Sequence, residues 1–529
     1  MTKKTIFFLT LIFTLGLFLR FYRLDQNIPE LYADEAGHYF LPHIYNQIFY
    51  KIFSFTWLFG FTPLGVRAAS AFYGSLTCLV IYFFAKSVSH RTTISLLTSL
   101  LLVVSPWSFA ISRLGHTHVV IITLLITLHT AIFLNAKNFK QIFFSLIPLI
   151  ISLRYYPSMV VIVPFILLAI FLISKTETKK IMLMVIGIVM VLVIPLLIQK
   201  FQLLDQKSRA MDLAVWRDVN VTADSNLYRG LARLSEPTIF SFYQNPEKIA
   251  NKIVFNYPVS ILSIFTKNYL SFFSLDFLFL KGDNILRHST GMVGNLYPFL
   301  LPFMIYGAFL FFRDQSLKNK TIFMAWILAS PIPATITKDG ASYLLRVVTL
   351  MPFLTYFCAL GIVQSFELFK SNFSKIVYGV VIGTMAIFSV YYYFYGYFHV
   401  YPTLASDSFE YGFKDLADFQ TRNPGKMLVI WDDKYPYSHF CFWQKLSYKS
   451  CEYSKTNTRV TVGQSRVDLA LPEVIFSLPN PPSDLSLITK SYTPKYLALP
   501  SRYFNQFPGL FVNQKPVSQT NYFKIYEIK

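Results

Sequence analysis

The 529-residue chain is 54% hydrophobic and only 14% charged, with a mean hydropathy of +0.45. Soluble domains carry about a quarter charged residues, so this composition excludes a soluble globule or a disordered chain. Four cysteines are too few for a disulfide scaffold. The net charge of +21 is typical of nucleic-acid binders, but also of membrane proteins with cations beside lipid headgroups. Because no Lys/Arg-rich stretch or RNA-binding signature stands out, we expect a protein of the lipid bilayer with no nucleic-acid partner.

Apolar segments recur along the chain and predict an all-α polytopic membrane domain of about 11 transmembrane helices, since one crossing needs about 20 apolar residues. The first segment begins with Met1-Thr-Lys-Lys like a signal peptide, but its long apolar run and the lack of a small-residue cleavage site favour a retained span. The fifth and sixth segments, divided at Pro157, are short enough to form one broken hairpin. The segments lie near residues 5–22, 64–85, 92–111, 118–135, 141–154, 158–174, 181–198, 295–312, 321–337, 346–366 and 376–399.

Basic residues in the short loops predict the orientation, because such residues favour the cytoplasmic side. A cytoplasmic N-terminus puts most of these residues inside, and leaves only Arg113, Arg154, Lys338 and Arg346 in the opposing short loops. The odd number of spans then makes the C-terminus extracytoplasmic.

Three long segments therefore face outward. Two are the outer loops 23–63 and 199–294 of a transmembrane domain that covers residues 1–399. In the second loop, residues 256–280 are apolar but contain Pro258 and Lys267, which favours an interfacial or re-entrant helix over another span.

The third outward segment, residues 400–529, is long enough for a small exported α/β domain with its own core. The residues 427–431 and 522–526 have the composition of strands, and 409–419 has the pattern of an amphipathic helix. Cys441 and Cys451 both belong to this domain, so they are candidates for a disulfide in an oxidising compartment.

The first outer loop contains adjacent carboxylates, Asp34 and Glu35, followed by His38. If a helix starts near Asp34, then Asp34 and His38 are one turn apart. One interpretation is helix capping, because Asp is a favoured N-cap and acids suit the N-terminal dipole. The other is a general base that deprotonates an acceptor where it meets a lipid-borne donor.

An Asp-Glu pair soon after the first span, many spans with short loops and an exported C-terminal domain resemble the C-type integral-membrane glycosyltransferases (GT-C), in particular the protein O-mannosyltransferases and the bacterial aminoarabinose transferases. The resemblance covers roughly residues 1–400. Further matching stretches, in order and all at the outer face, are Ser112-Arg113, Arg287-His288-Ser289, and Pro331-Ile-Pro333 leading to Lys338-Asp339-Gly340 and Arg346.

The resemblance implies an inverting glycosyltransferase of the plasma membrane, which moves a hexose or pentose from a polyprenyl-phosphate donor to an acceptor hydroxyl at the outer membrane face. It implies Asp34 as the catalytic base, with Glu35 as its neighbour. The acceptor is left open among proteins, glycolipids and cell-wall polymers. Fixed cations would stabilise the departing phosphate, although each could instead make an ordinary headgroup contact. The substrate-binding candidates are His38, Arg113, His116, Arg287, His288, Lys338 and Arg346.

One stretch departs from the family pattern. The family often has an acidic residue in the next outer loop, whereas residues 113–118 contain no carboxylate. Either His116 or His118 takes its place as a hydrogen-bond partner, or the acceptor is bound differently. No cofactor is required by any spacing in the sequence. A divalent metal held by Asp34, His38 and one of these imidazoles stays open as an alternative.

Two other classes of function compete with the enzyme. A transporter or flippase of a lipid-linked or anionic substrate should place ionisable residues near the middle of its spans, whereas here they cluster at the outer ends. A non-catalytic membrane scaffold would leave the Asp34-Glu35 pair unexplained. The sequence therefore favours the glycosyltransferase.

Overall fold

The computed structural model describes most of the chain and groups it into two units. The helical unit comprises Met1–Arg20, Phe72–Ser112 and His118–Gly396, and the mixed unit comprises Phe21–Ala71, Arg113–Thr117 and Tyr397–Lys529. The first outer loop thus belongs to the same unit as the C-terminal segment, while the division at residue 400 stays a prediction. The described residues are 1–44, 47–173, 187, 214–218, 221, 223, 226–227, 254, 256–431, 436–452, 459–469, 471–480, 482–501, 503 and 515–528.

The chain is mostly helical, and its long helices are apolar. A helix is the form in which an apolar segment satisfies its own backbone hydrogen bonds in lipid, which places this protein in a membrane. Within the described residues, five helices are long and apolar enough to cross a bilayer. They are Lys3–Phe21, Pro63–Ser89, Thr117–Asn135, Leu344–Leu368 and Asn372–His399.

A sixth candidate span is broken. The helices Thr92–Val104 and Pro106–Ser112 meet at an angle of 54°. Ser105 between them is extended, because proline lacks an amide hydrogen and disfavours helical geometry in the residue before it. The bend falls within the predicted third span.

Shorter helices occupy the other predicted segments, except for residues 181–198, which lie outside the described residues apart from 187. Because only five or six helices qualify as spans by length and composition, the count of about 11 stays a prediction. The shorter helices are Phe139–Tyr155, Ser158–Ile173, Leu301–Asp314, Leu317–Ala329 and Ile332–Thr335.

The helix Tyr257–Ser271 falls in the segment expected to lie along the membrane surface. The side chain of Asn256 caps it by accepting a hydrogen bond from the amide of Val259. Its 15 residues are too few for a crossing, and Leu262 and Leu270 are exposed. These features fit an interfacial helix, and its place in the membrane stays a prediction.

The predicted orientation can be tested by cysteine labelling. We expect a membrane-impermeant reagent to label Asp407→Cys in intact cells and to label Leu317→Cys only after permeabilisation, because the basic loops hold the Leu317 side in the cytoplasm. Both positions are exposed. Labelling of Leu317→Cys in intact cells would contradict the orientation.

The described residues in the C-terminal part of the mixed unit form seven strands: β1 Met427–Ile430, β2 Arg459–Val462, β3 Ser465–Asp468, β4 Val474–Ser477, β5 Tyr496–Pro500, β6 Ser518–Gln519 and β7 Phe523–Glu527. They pair into one sheet in the order β2-β3-β4-β1-β5-β7-β6. Strand β1 pairs in parallel with β4 and β5, and the other pairs are antiparallel. Central parallel strands are covered on both faces, which explains why β1 is entirely buried and apolar.

Helices cover the two faces of this sheet. Phe413–Arg422 and Tyr437–Trp443 pack on one face, together with Phe40 of the first outer loop, and Asp484–Tyr492 packs on the other. Both expected strands form, whereas the helix expected to begin at 409 begins at 413, after Gly412 in a left-handed conformation with φ of 99°. The small α/β region is therefore confirmed.

A disulfide joins Cys441 to Cys451. It links the helix Tyr437–Trp443 to the short helix Tyr448–Glu452, and both cysteines lie in the core on one face of the sheet. The disulfide considered from the sequence is thus present.

Candidate active site

Asp34 lies on a short helical turn, Ala33–Ala36, which continues as a 3-10 turn through Phe40. Asp34 and His38 are therefore one turn apart, as predicted. The residue that precedes the turn is Tyr32, so Asp34 is not the N-cap. The Asp34 carboxylate is exposed and makes no hydrogen bond or ion pair with any residue that the structure describes. It is available to an external ligand.

Glu35, in contrast, is buried in a bidentate ion pair with Arg67. The Arg67 Nε to Glu35 Oε1 distance is 2.9 Å, and the Nη2 to Oε2 distance is 2.7 Å. The amide of Gly115 also donates to Glu35 Oε1, at 2.7 Å. Such parallel charge-assisted hydrogen bonds are strong and directional. Both oxygens of Glu35 are therefore engaged within the protein.

Arg67 also organises the chain that leads to this turn. It donates to the carbonyl oxygens of Ile28, at 2.5 Å, and Glu30, at 2.7 Å. A buried arginine needs this many partners, because an unpaired charge away from water is costly. The sequence analysis missed Arg67, although a lone arginine near the start of an apolar segment was an available signal.

Side chains from the C-terminal part of the chain form hydrogen bonds with the backbone of Ala33. Its amide donates to Glu410 Oε2 at 2.9 Å, and its carbonyl accepts from the hydroxyl of Ser438 at 3.2 Å. His439 Nε2 donates to the same Glu410 oxygen at 2.5 Å. No sequence signal pointed to these residues, because they are far from Ala33 along the chain. Glu410, for example, lies 377 positions after Ala33.

Glu30 makes a second connection of this kind. Its buried carboxylate accepts from the amides of Gly412, at 2.8 Å, and Lys414, at 3.2 Å. Burial raises the pKa of Glu30, while these amide hydrogen bonds oppose the rise. Because they come from the start of a helix, they favour a carboxylate there. Glu30 therefore ties the first loop to the helix Phe413–Arg422.

His38 and His116, two of the residues predicted to bind substrate, are both buried. His38 Nε2 lies 2.8 Å from the carbonyl oxygen of Gly115, and burial lowers the pKa of His38, although Glu35 and this carbonyl oppose the change. A neutral His38 that donates from Nε2 leaves Nδ1 as an acceptor, and Nδ1 has no hydrogen-bond partner within the described residues. His116 Nε2 is hydrogen-bonded to the hydroxyl of Tyr32. His116 thus lies beside the loop that carries Asp34.

Arg113 is buried in the same unit. It donates from Nη1 to the Tyr22 carbonyl at 2.8 Å, from Nη2 to the Arg23 carbonyl at 3.2 Å, and from Nε to the Tyr397 hydroxyl at 3.2 Å. These contacts suit a residue that holds the end of the first helix. Its role in substrate binding stays a prediction.

The remaining cationic candidates lie in the helical unit, and Arg346 is one of them. Its guanidinium forms an ion pair with Asp339, at 2.9 Å, and a hydrogen bond with Thr337. It also lies over the Tyr343 ring, 4.3 Å from the centroid. Burial opposes ionisation of Asp339, but Arg346 outweighs it and lowers the pKa of Asp339. The Arg346 side chain keeps 15% of its surface exposed.

Arg287 and His288 lie on a loop that Asp283 connects to the Arg346 segment. Asp283 accepts from His288 Nδ1 at 2.9 Å and from the amide of Leu344 at 2.6 Å. The sequence analysis missed this buried aspartate.

Tyr343 contacts both the Arg346 guanidinium, which lies over its ring, and the loop that carries Arg287, since the His288 ring centroid is 5.2 Å from that of Tyr343. Burial raises the pKa of Tyr343, while the charges of Arg346 and Arg287 both act to lower it. The hydroxyl of Tyr343 therefore stays neutral. Lys338 is exposed and makes no ion pair with a described residue. The His118 ring stacks on the Tyr156 ring, with centroids 5.4 Å apart.

No set of three potential metal-binding side chains comes together in the part of the chain that the structure describes. The metal site considered from the sequence combines Asp34 and His38 with His116 or His118. In the structure, His38 Nε2 is hydrogen-bonded to the Gly115 carbonyl and His116 Nε2 to the Tyr32 hydroxyl.

Neither a protein-family model nor a curated protein matches the sequence, but solved structures match the fold. The archaeal oligosaccharyltransferase AglB from Archaeoglobus fulgidus, in complex with an inhibitory peptide and a dolichol-phosphate, matches with a TM-score of 0.53 and 12% identity over 95% of this chain and 70% of AglB. An oligosaccharyltransferase from Archaeoglobus fulgidus in complex with Zn and sulfate matches with a TM-score of 0.52 and 12% identity over 94% of this chain and 69% of that protein. ArnT from Cupriavidus metallidurans in the apo state gives 0.49 and 11% over 98% and 97%. The resemblance inferred from the sequence is confirmed for the fold: this chain has the fold of the oligosaccharyltransferase AglB.

Proposed function

We propose that this protein is an inverting glycosyltransferase that moves a sugar from a polyprenyl-phosphate donor to an acceptor hydroxyl, with Asp34 as the general base. The observation that carries the proposal is the contrast within the carboxylate pair. Asp34 is exposed and unbonded within the described residues, while its neighbour Glu35 is locked to Arg67 and Gly115. The carboxylate of Glu35 therefore has a structural role, whereas that of Asp34 is accessible to a ligand.

The proposed step balances as a single displacement. A carboxylate oxygen of Asp34 takes the proton of the acceptor hydroxyl as that oxygen attacks the anomeric carbon. The bond from this carbon to the phosphate oxygen breaks, and its electrons leave with the polyprenyl phosphate. Because the acceptor enters opposite the leaving group, the anomeric configuration inverts. Glu35 is unsuited to this role, since both of its oxygens already accept hydrogen bonds.

The phosphate requires cations, and the group formed by Arg287, Arg346 and Tyr343 has the chemistry for it. The departing phosphate gains negative charge, which preorganised donors stabilise in the transition state. Asp339 holds Arg346 in place, and Arg suits phosphate because its donors form a rigid fork. AglB was solved with a dolichol-phosphate, which supports a polyprenyl phosphate as the ligand class.

We expect Arg287→Ala and Arg346→Ala each to weaken donor binding and to slow turnover by about tenfold or more, because a hydrogen bond to a charged group contributes about 1.5–3 kcal/mol. Both effects should appear together, because the arginines would bind the phosphate in the ground state and also stabilise the negative charge that it gains in the transition state. Steady-state kinetics with varied donor measures them. The control is Lys281→Ala, an exposed cation on the same loop. Wild-type kinetics in both arginine variants would place the phosphate elsewhere.

The proposed activity is tested by incubating the purified protein with a panel of polyprenyl-phosphate sugars and candidate acceptors. We expect acceptor-dependent release of free polyprenyl phosphate from at least one donor. The acceptor panel should include a peptide, a glycolipid and a cell-wall polymer, and each reaction should be run with and without a chelator to test for a metal. Release from no donor, by protein shown to be folded, would contradict the proposal.

A further inference from the structure

We propose that Glu410, assisted by Ser438, is a positioning residue of the transfer reaction: it fixes the backbone on which Asp34 is carried. The inference rests on the proposed role of Asp34 and goes beyond it, because it assigns the C-terminal part of the chain a part in catalysis. Glu410 itself does not contact the reacting atoms and acts only through Ala33.

The contacts fall on the two peptide groups that flank Ala33. Glu410 Oε2 accepts from the Ala33 amide at 2.9 Å, which holds the peptide group between Tyr32 and Ala33. The Ser438 hydroxyl donates to the Ala33 carbonyl at 3.2 Å, which holds the peptide group between Ala33 and Asp34. The chain therefore enters Asp34 in a fixed direction.

The chain is also fixed as it leaves Asp34. The next residue, Glu35, is held by Arg67 at 2.7 Å and by the Gly115 amide at 2.7 Å. The Asp34 side chain has no bond of its own to a described residue. Its position is therefore determined through the backbone, by the anchors on either side.

The conformation of Glu410 supports a specific role. Its φ is 54°, in the left-handed region that residues other than Gly, Asn and Asp seldom adopt. Such a conformation persists where the surroundings require it, and an outlier of this kind is grounds for a functional hypothesis. Here the buried carboxylate meets two donors, the Ala33 amide and His439 Nε2, on a single oxygen. The length of the glutamate side chain is what reaches Ala33.

These facts suggest two substitutions with opposite expectations. Glu410→Asn suits the left-handed backbone better than glutamate does, but its side chain is one methylene shorter and falls short of Ala33. Glu410→Gln keeps the length and an acceptor oxygen that serves both donors. If Glu410 positions Asp34, then Glu410→Asn should impair transfer and Glu410→Gln should largely preserve it.

The experiment measures transfer kinetics of both variants in the full-length protein, with Asp34 and with Asp34→Asn. We expect Glu410→Asn to lower kcat by about tenfold or more with donor KM within about twofold, since small misplacements of a catalytic group can cost up to about a hundredfold. In the Asp34→Asn background the same substitution should cause no further loss, because coupled residues are not additive. Ser438→Ala should show the same coupling with a smaller loss. Glu473→Gln, an exposed acid, is the control.

Each alternative outcome is distinct. Wild-type kcat in Glu410→Asn, or losses that add to those of Asp34→Asn, would overturn the positioning role. An equal loss in Glu410→Gln and Glu410→Asn would also overturn it, because the charge would then matter rather than the reach. If Glu410→Asn does not fold, the coupling of Ser438→Ala to Asp34→Asn decides. Normal transfer in Asp34→Asn alone would instead contradict the proposed function.

Discussion

Asp34→Asn is expected to lower the rate of sugar transfer by about a hundredfold or more, the usual scale for loss of a general base. The substitution keeps the shape of the side chain and removes its basicity. Donor affinity should stay within about twofold, because a residue that acts only in the transition state leaves ground-state binding unchanged. Single-turnover transfer and equilibrium donor binding measure the two quantities separately.

The matched control for this change is Asp25→Asn, which neutralises another exposed carboxylate after the first helix and should leave the rate unchanged. Glu35→Gln should act differently, by weakening the pair with Arg67 and lowering stability. If Asp34→Asn transfers sugar normally and Glu35→Gln does not, with both variants folded, then Glu35 is the general base.

Arg67→Ala is expected to lower the free energy of unfolding by about 3–5 kcal/mol, the range found when one partner of a buried ion pair is removed. Glu35 would remain buried without its counter-charge, and the carbonyls of Ile28 and Glu30 would lose their donor. Unfolding by denaturant in mixed micelles measures the change. Because the first loop depends on these contacts, transfer activity should fall even at temperatures where the variant is folded.

The control for Arg67 is a second arginine–glutamate pair. Arg91 and Glu367 are ion-paired, but each side chain is about two-fifths exposed, at 41% and 42%. Exposed pairs contribute about 0–1 kcal/mol, so Arg91→Ala should change the free energy of unfolding by no more than about that amount. Equal effects of the two substitutions would show that the burial of the Glu35–Arg67 pair has no special role.

Local features of the fold were predictable because they depend on short stretches of sequence. The apolar segments indicated the helices, and the spacing of Asp34 and His38 indicated one helical turn, which the structure contains. The start of the helix at Phe413 was misplaced by four residues, because the left-handed Gly412 gives no signal in an apolar periodicity.

Contacts between distant parts of the chain were not predictable. Nothing in the sequence pairs Glu35 with Arg67 or Glu410 with Ala33, and these partners are identified only once the chain is folded. In the sequence, Asp34 and Glu35 form one pair of adjacent carboxylates. In the structure, Asp34 is exposed and Glu35 is buried. Burial of this kind depends on tertiary packing, which adjacent identical charges do not reveal.

The central claim is that the protein transfers a sugar from a polyprenyl phosphate to an acceptor with Asp34 as the general base. Proteoliposomes with a labelled polyprenyl-phosphate sugar test it most directly. With acceptor present, the wild-type protein should release one free polyprenyl phosphate for each glycoside formed, with the anomeric configuration inverted, and Asp34→Asn should bind the donor and leave it intact. Movement of uncleaved donor across the bilayer, without glycoside formation, would contradict the account and favour a flippase.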